Sequence, residues 1–157
     1  MQVWRITSKK YRRFDGEGAR RFGARWHYPG TAVVYTSMSL SLAALEIFVH
    51  FDTDVAPTGL IAIPAEIPDN VKIENIELSR LPKNWRAYPS PESLKQIGSS
   101  WVAEGSSVAL SVPSALIPSE RNYLLNPKHR DFKLIRIGKP QAFRFDPRMR
   151  KNYGRAG

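Results

Sequence analysis

Cysteine is absent from this 157-residue chain, which excludes disulfide bonds and zinc sites built on thiolates. The three histidines, His27, His50 and His129, do not have the spacing of metal ligands, so no metal site is predicted. The first residues carry no apolar signal region, and no apolar run reaches the roughly 20 residues that a transmembrane helix requires. These absences predict a cytoplasmic protein that does not enter a membrane.

Acidic residues are scarce. The chain has 14 Asp and Glu residues and 24 Lys and Arg residues, which give a formal charge of +10. Such a charge favours an anionic partner, which is a nucleic acid, a phosphorylated small molecule or an acidic protein. The same charge also serves solubility alone. No nucleic-acid-binding motif and no long basic arm is present, so direct contact with DNA is not expected. A basic nucleic-acid-binding module without catalysis is nevertheless one alternative. The glycine patterns of dinucleotide-binding and phosphate-binding loops are missing as well.

The stretch from Ala32 to His50 combines a strand with an apolar helix that carries one carboxylate. Residues 32–36 are β-branched or aromatic and predict the strand, and Ser37 or Ser39 is a suitable helix cap. Apolar side chains occupy nearly every side of the helix that follows, which predicts a buried helix. A buried carboxylate without a partner is costly. We therefore expect Glu46 to have a cationic partner or to face a cleft.

Strands outnumber helices in the rest of the pattern, and the two types do not alternate regularly. This favours a single mixed α+β domain over a doubly wound parallel sheet. A long, basic, glycine-bearing loop over residues 8–30 is more typical of a functional segment than of a plain connection. A helix is predicted after Ser90–Pro91. Further strands are predicted over residues 3–6, 60–63, 71–73, 108–112 and 132–137.

Four polar residues stand among apolar neighbours and are candidates for a shared active site: Arg25, Tyr35, Glu46 and Ser114. Each also has an explanation without catalysis. Arg25 suits a surface cation stacked on the neighbouring indole, and Tyr35 suits an ordinary strand aromatic. Glu46 suits a structural ion pair, and Ser114 suits a cap for the turn after a strand that ends in proline. The residue types alone leave both interpretations open.

A series of short blocks occurs along almost the whole chain, from Val3 to Arg148. Their order and number resemble the RES domain family: Gly23–Trp26 with Pro29–Gly30, Val34–Ser37, Leu42–Glu46 with Val49–His50, Ile97–Gly98 with Trp101, Val112–Ala115 and Asn122–Pro127. The resemblance implies a RES domain over residues 1–148. Residues 149–157 are basic and contain glycine, which predicts a flexible tail. One departure is His27, where the family usually has asparagine.

The resemblance implies a fold similar to that of mono-ADP-ribosyltransferases, which is an α+β split sheet with flanking helices, and it implies activity on NAD. The family is named for Arg, Glu and Ser, which correspond to Arg25, Glu46 and Ser114 as catalytic residues. Tyr35 is implied to lie against the nicotinamide ring. Arg25, Ser114 and Asn126 are implied to bind substrate as well, and no metal is implied.

The resemblance also implies a role as the toxin half of a bacterial toxin–antitoxin pair. Members of the family break down NAD with water or phosphate as the acceptor, or transfer ADP-ribose to a protein, and the sequence does not name the acceptor. The implied partners are a cognate antitoxin with an Xre-like helix-turn-helix and a second copy of the chain within the complex.

The candidate residues suit this chemistry. Nicotinamide leaves NAD as a neutral molecule, so no general acid is required, whereas ordinary glycoside hydrolysis uses two carboxylates. A single carboxylate, Glu46, is able to stabilise the positive charge that develops on the ribose. Arg25 is able to hold phosphate or ribose oxygens through its planar set of donors. Tyr35 offers a flat face to a flat ring.

Overall fold

Eight strands and three α-helices form the described part of the chain, which is residues 1–51 and 57–149 of this computed structural model. The helices are α1 (Glu17–Phe22), α2 (Leu40–Phe48) and α3 (Glu92–Glu104). Short 3-10 helices cover Lys9–Tyr11, Leu78–Arg80, Arg130–Leu134 and Pro147–Met149. The strands are β1 (Gln2–Ser8), β2 (Val34–Ser37), β3 (Leu60–Glu66), β4 (Ile73–Asn75), β5 (Ala109–Pro113), β6 (Arg121–Leu125), β7 (Arg136–Ile137) and β8 (Gln141–Phe143).

The strands form one mixed sheet in the order β4-β5-β6-β2-β1-β3-β7, and β8 also pairs with β3. Only β4 and β5 are parallel neighbours. The sheet consists of two groups, β4-β5-β6-β2 and β1-β3-β7-β8, because β1 meets β2 at the single pair Trp4–Ser37. By contrast, β1 and β3 pair along their whole length. This narrow join splits the sheet, and the prediction of a single α+β domain with a split sheet is confirmed.

Both long helices lie on the same face of the sheet, one on each side of the split. Residues opposite each other on paired strands project from the same face, so Trp4, Ser37 and Asn122 share a face. On this face α2 packs over β1 and β3, and α3 packs over β2, β5 and β6. The other face carries the largest apolar cluster, which draws on both groups of strands. The space between α2 and α3 therefore lies over the narrow join.

The prediction that α2 is buried is wrong. Leu42 and Ala43 are buried, but Leu45 and Val49 are 36% and 54% exposed. The helix rests on the sheet by one side, through Ala43 against residues of β1 and β3. No described element covers its opposite side, so the apolar residues there face solvent. The N-cap prediction is better, since Ser39 Oγ accepts a hydrogen bond of 3.1 Å from the Leu42 amide.

Two other predicted segments differ from the structure. The strand expected over 132–137 is mostly a 3-10 helix, Arg130–Leu134, followed by the two-residue strand β7. Phe132 and Ile135 still reach the main core, so their apolar character reflects burial rather than strand pairing. The loop expected over 8–30 contains helix α1. The tail predicted over 149–157 lies outside the described residues except for Met149, and it stays a prediction.

Within the described ranges, no helix combines the length and the apolar character needed to cross a bilayer.

Helix α3 lies directly on the backbone of the turn at Trp26. A Cβ built on Gly98 would stand 1.8 Å from the carbonyl oxygen of Trp26, so only glycine fits this contact. One residue further along, Ser99 Oγ accepts a hydrogen bond of 3.0 Å from the amide of Tyr28. These two contacts locate the turn that carries Arg25 against α3.

We predict that Gly98→Ala lowers the free energy of unfolding by about 1–3 kcal/mol, because the added methyl group overpacks the contact with Trp26. Urea unfolding of the two proteins measures the difference. Gly18→Ala is the matched control, since Gly18 lies in α1 with nothing near its would-be Cβ. Equal stability of Gly98→Ala and Gly18→Ala would contradict the close packing of α3.

Candidate active site

Glu46 of α2 points into the space between the helices, where two neutral groups hold one of its oxygens. Ser114 Oγ donates a hydrogen bond of 2.7 Å to Oε1, and Asn122 Nδ2 donates one of 2.5 Å to the same atom. No described residue donates to Oε2. No described cation forms a salt bridge with this carboxylate either. Of the two alternatives predicted for Glu46, a cationic partner and a position facing a cleft, the structure agrees better with the second.

Ser114 uses its whole hydrogen-bonding capacity inside the protein. It is fully buried just after Pro113 ends β5, and its Oγ accepts hydrogen bonds of 3.1 Å from the amides of Leu116 and Ile117. Its single proton goes to Glu46. Since a hydroxyl has one proton and two lone pairs, nothing is left for a substrate. Ser114 therefore orients Glu46 and stabilises the turn after β5.

Asn122 was missed by the sequence reasoning as a site residue. Ser37 lies opposite it in the β2–β6 pairing and donates a hydrogen bond of 2.7 Å to its Oδ1. Because the amide oxygen is occupied in this way, the amide nitrogen is directed towards Glu46. The available signal was a polar residue at the start of the apolar run of β6, in register with a polar residue at the end of β2.

Arg25 sits in the turn that is closed by backbone hydrogen bonds between Ala24 and His27. Its Nη1 donates hydrogen bonds of 2.8 Å and 3.1 Å to the carbonyl oxygens of Trp85 and Ala87. Partial burial lowers the pKa of Arg25, and the negative charge of Glu46 acts in the opposite direction. The guanidinium is thus an electrostatic neighbour of Glu46, without a direct hydrogen bond.

The segment around Trp85 borders the site. It is held by Arg25 on one side. On the other side, Arg86 Nε donates a hydrogen bond of 2.8 Å to the carbonyl oxygen of Ala115, next to Ser114. Trp85 itself is buried against α3. This segment therefore connects the arginine turn to the turn that holds Glu46.

Tyr35 of β2 lies on the same face as Ser37 and joins the site through its ring. Its hydroxyl is 2.8 Å from Nδ1 of His27, and Nε2 of His27 is 3.0 Å from the carbonyl oxygen of Ala19. Burial raises the pKa of Tyr35, and Arg25 and Glu46 both influence it electrostatically. Arg25, Tyr35, Glu46 and Ser114 therefore belong to one site.

Asn126 does not belong to this site. It follows the end of β6 that pairs with Val34, whereas Asn122 lies at the opposite end of the strand. Its Oδ1 accepts a hydrogen bond of 3.0 Å from the amide of Lys128. The side chain lines a separate cavity of about 520 Å³ that also includes Lys72, His129 and Arg130. Its predicted contact with the same substrate as Glu46 has no support in this arrangement.

In residues 1–51 and 57–149, no group of three or more histidine or acidic side chains has an arrangement that would hold a metal ion.

The split sheet and the group of Arg25, Tyr35 and Glu46 define the class of this protein as a RES-type α+β domain. A search of solved structures agrees, with a TM-score of 0.68 to a chain of the Mycobacterium tuberculosis MbcT–MbcA toxin–antitoxin complex, at 17% identity over 90% of this chain and 83% of that chain. The sequence model of the RES domain matches residues 2–146. The chain therefore belongs to the RES domain family, as the sequence blocks predict.

Curated relatives extend over nearly the whole chain. A protein named Toxin Res from Yersinia enterocolitica is 37% identical and covers 96% of this chain and 100% of its own length. Another Toxin Res, from Photorhabdus laumondii, is 38% identical and covers 96% and 98%. A Sphingobium protein named Prs ADP-ribosylating toxin is 36% identical and covers 93% and 94%. The relatives are thus similar in length and are named as toxins.

We predict that Ser114→Ala lowers the free energy of unfolding by about 1–3 kcal/mol, because the amides of Leu116 and Ile117 lose their acceptor and Glu46 Oε1 loses one of its two donors. Chemical denaturation measures this loss. Ser41→Ala, at an exposed position of α2, is the matched control and should change stability by no more than about 0.5 kcal/mol. A fully stable Ser114→Ala protein would show that the hydroxyl does not hold this region together.

Proposed function

We propose that this RES domain is the toxin of a toxin–antitoxin pair and that it cleaves the nicotinamide–ribose bond of NAD. The observation that carries the proposal is the state of Glu46. One carboxylate oxygen is held by two neutral donors, and the described residues leave the other oxygen without a hydrogen bond. This arrangement fixes the direction of a negative charge without neutralising it.

A fixed carboxylate without a salt bridge suits the cleavage of NAD. The nicotinamide is a cationic leaving group that departs neutral, so the reaction needs stabilisation of the positive ribose rather than a proton donor. Glu46 Oε2 would accept a hydrogen bond from a ribose hydroxyl and oppose the charge of the oxocarbenium-like transition state. Such preorganised electrostatic stabilisation is commonly the largest contribution to catalysis. A salt bridge to Glu46 in the empty site would have weakened this effect.

Arg25 and Tyr35 supply the binding groups in this proposal. Nη1 of Arg25 is engaged with two carbonyl oxygens. Its Nε and Nη2 donors have no partner among the described residues, so they would hold phosphate or ribose oxygens of NAD. Tyr35 would lie against the nicotinamide ring. Ser114 and Asn122 would keep Glu46 in position and would not contact the substrate, and Asn126 would play no part at this site.

The acceptor in the reaction is water, phosphate or a protein side chain. The Sphingobium relative is named as an ADP-ribosylating toxin, and this favours transfer of ADP-ribose to a protein as the second candidate. A third candidate, a basic nucleic-acid-binding module without catalysis, rests on the charge of +10 alone. The affinity of such a module for nucleic acid would fall steeply as the salt concentration rises. This third candidate does not explain the hydrogen bonds that hold Glu46.

The proposal includes a protein partner. The solved neighbour is a chain of a toxin–antitoxin complex, and the family resemblance implies an Xre-like helix-turn-helix antitoxin and a toxin homodimer within the complex. The strong positive charge of the chain would steer an acidic antitoxin segment towards it. Since NAD is a cytoplasmic metabolite, the proposed place of action is the cytoplasm.

We predict that Glu46→Gln keeps the fold and lowers NAD turnover at least about 100-fold, because the amide preserves the shape and removes the charge opposite the ribose. The measurement is product analysis by mass spectrometry after incubation of the pure protein with NAD, with and without phosphate. The phosphate comparison identifies the acceptor. Turnover at the wild-type rate in Glu46→Gln would refute the role of this carboxylate.

In cells, we predict that expression of the chain alone in a bacterium stops growth while intracellular NAD falls. Co-expression of the cognate antitoxin should restore growth, because it would occupy the site. Glu46→Gln, at the same level of soluble protein, is the matched control and should permit normal growth. Normal growth and unchanged NAD with soluble wild-type protein would count against the toxin proposal.

A further inference from the structure

His27 is buried behind the candidate site and joins Tyr35 to helix α1. The residue is 0% exposed. Its two ring nitrogens contact two different elements, since Nδ1 is 2.8 Å from the Tyr35 hydroxyl and Nε2 is 3.0 Å from the carbonyl oxygen of Ala19. The imidazole thus bridges β2 and α1.

The partners of His27 determine its tautomer. A backbone carbonyl oxygen only accepts hydrogen bonds, so Nε2 must carry the ring proton and donate to Ala19 O. In the neutral ring Nδ1 is then an acceptor, and the Tyr35 hydroxyl donates to it. Burial disfavours the imidazolium and lowers the pKa of His27. The direction of both hydrogen bonds follows from one backbone oxygen.

Packing and hydrogen bonding both restrain Tyr35. The ring is partly buried, and it packs against the cluster that includes Leu124, its cross-strand neighbour. Arg25 and Glu46 both act on it electrostatically. The hydrogen bond between its hydroxyl and His27 adds a restraint at the far end of the ring.

Helix α1 forms the other end of the same network. Ala19 O accepts a hydrogen bond of 2.9 Å from the amide of Gly23 at the end of the helix. His27 Nε2 donates to the second lone pair of the same oxygen. Arg20 O accepts a hydrogen bond of 2.7 Å from the amide of Gly30. The two ends of the turn that carries Arg25 and His27 are therefore both bonded to α1.

We propose that His27 is a positioning residue that sets the orientation of the Tyr35 ring for ligand binding and couples it to helix α1. This proposal rests on the proposed NAD site for the identity of the ligand, but the hydrogen-bond network itself does not depend on it. His27 does not touch the substrate. It acts through Tyr35, whose free face would receive the nicotinamide.

The first test is nitrogen-15 NMR of the imidazole in the ligand-free wild-type protein, with the His27 signal assigned by its loss in His27→Asn. We expect the neutral ring, observed at about pH 8, to carry its proton on Nε2, because the carbonyl oxygen of Ala19 accepts a hydrogen bond from that atom. A proton on Nδ1 would overturn the proposal. This result needs no NAD.

The second test separates the two hydrogen bonds by substitution. Asparagine keeps an acceptor at the position of Nδ1, and glutamine keeps a donor near the position of Nε2. Tyr35→Phe keeps the ring and removes the hydroxyl. We expect His27→Gln and Tyr35→Phe each to raise the dissociation constant for NAD about fivefold, which corresponds to the loss of one hydrogen bond. The increase should be smaller in His27→Asn. Measurement in a Glu46→Gln background prevents turnover.

The double variant His27→Gln/Tyr35→Phe decides whether the residues act together. Because both single changes break the same bond, we expect the double variant to bind NAD about as well as either single one. Additive losses would overturn the coupling, as would unchanged affinity in both single variants. If NAD does not bind even to the parent protein, the proposed function fails. In that case, the unfolding midpoints of the two single variants and the double variant test whether His27 and Tyr35 are coupled. Additive shifts of the midpoint would overturn the coupling.

Discussion

The hydrogen bonds that end on one oxygen of Glu46 bring three distant parts of the chain together. They connect α2 with the turn after β5 through Ser114 and with β6 through Asn122. Each donor is itself fixed, Ser114 by two backbone amides and Asn122 by Ser37. A half-buried carboxylate is stable here because neutral donors compensate its lost hydration.

The split of the sheet explains why the site lies where it does. Helices α2 and α3 occupy the same face but belong to different groups of strands, so the join between the groups lies between the two helices. Arg25 is held by its hydrogen bonds to the segment at Trp85, and the close contact of Gly98 with Trp26 holds its turn against α3. The site thus depends on packing between segments that are remote in sequence.

Local patterns predicted the parts of the site that have local signals. Glu46 was recognisable as a lone carboxylate in an apolar helix, and Ser114 as a polar residue after a strand ended by proline. Asn122 and His27 were missed, because their importance comes from the partners Ser37 and Tyr35 on neighbouring strands or across a turn. Asn126 was placed in the site through its sequence block, and the structure places it just beyond the end of β6 that is opposite to Asn122.

The sequence by itself determined the α+β class, the helix that begins after Ser39, the family and the candidate group of Arg25, Tyr35, Glu46 and Ser114. These follow from local periodicity, capping and the order of short blocks, which are all readable along one chain. Only the tertiary structure decided that α2 is half-exposed, that neutral donors hold Glu46, and that His27 anchors Tyr35. Exposure and hydrogen-bond partners depend on which remote segments fill the space around a residue, and no local pattern carries that information.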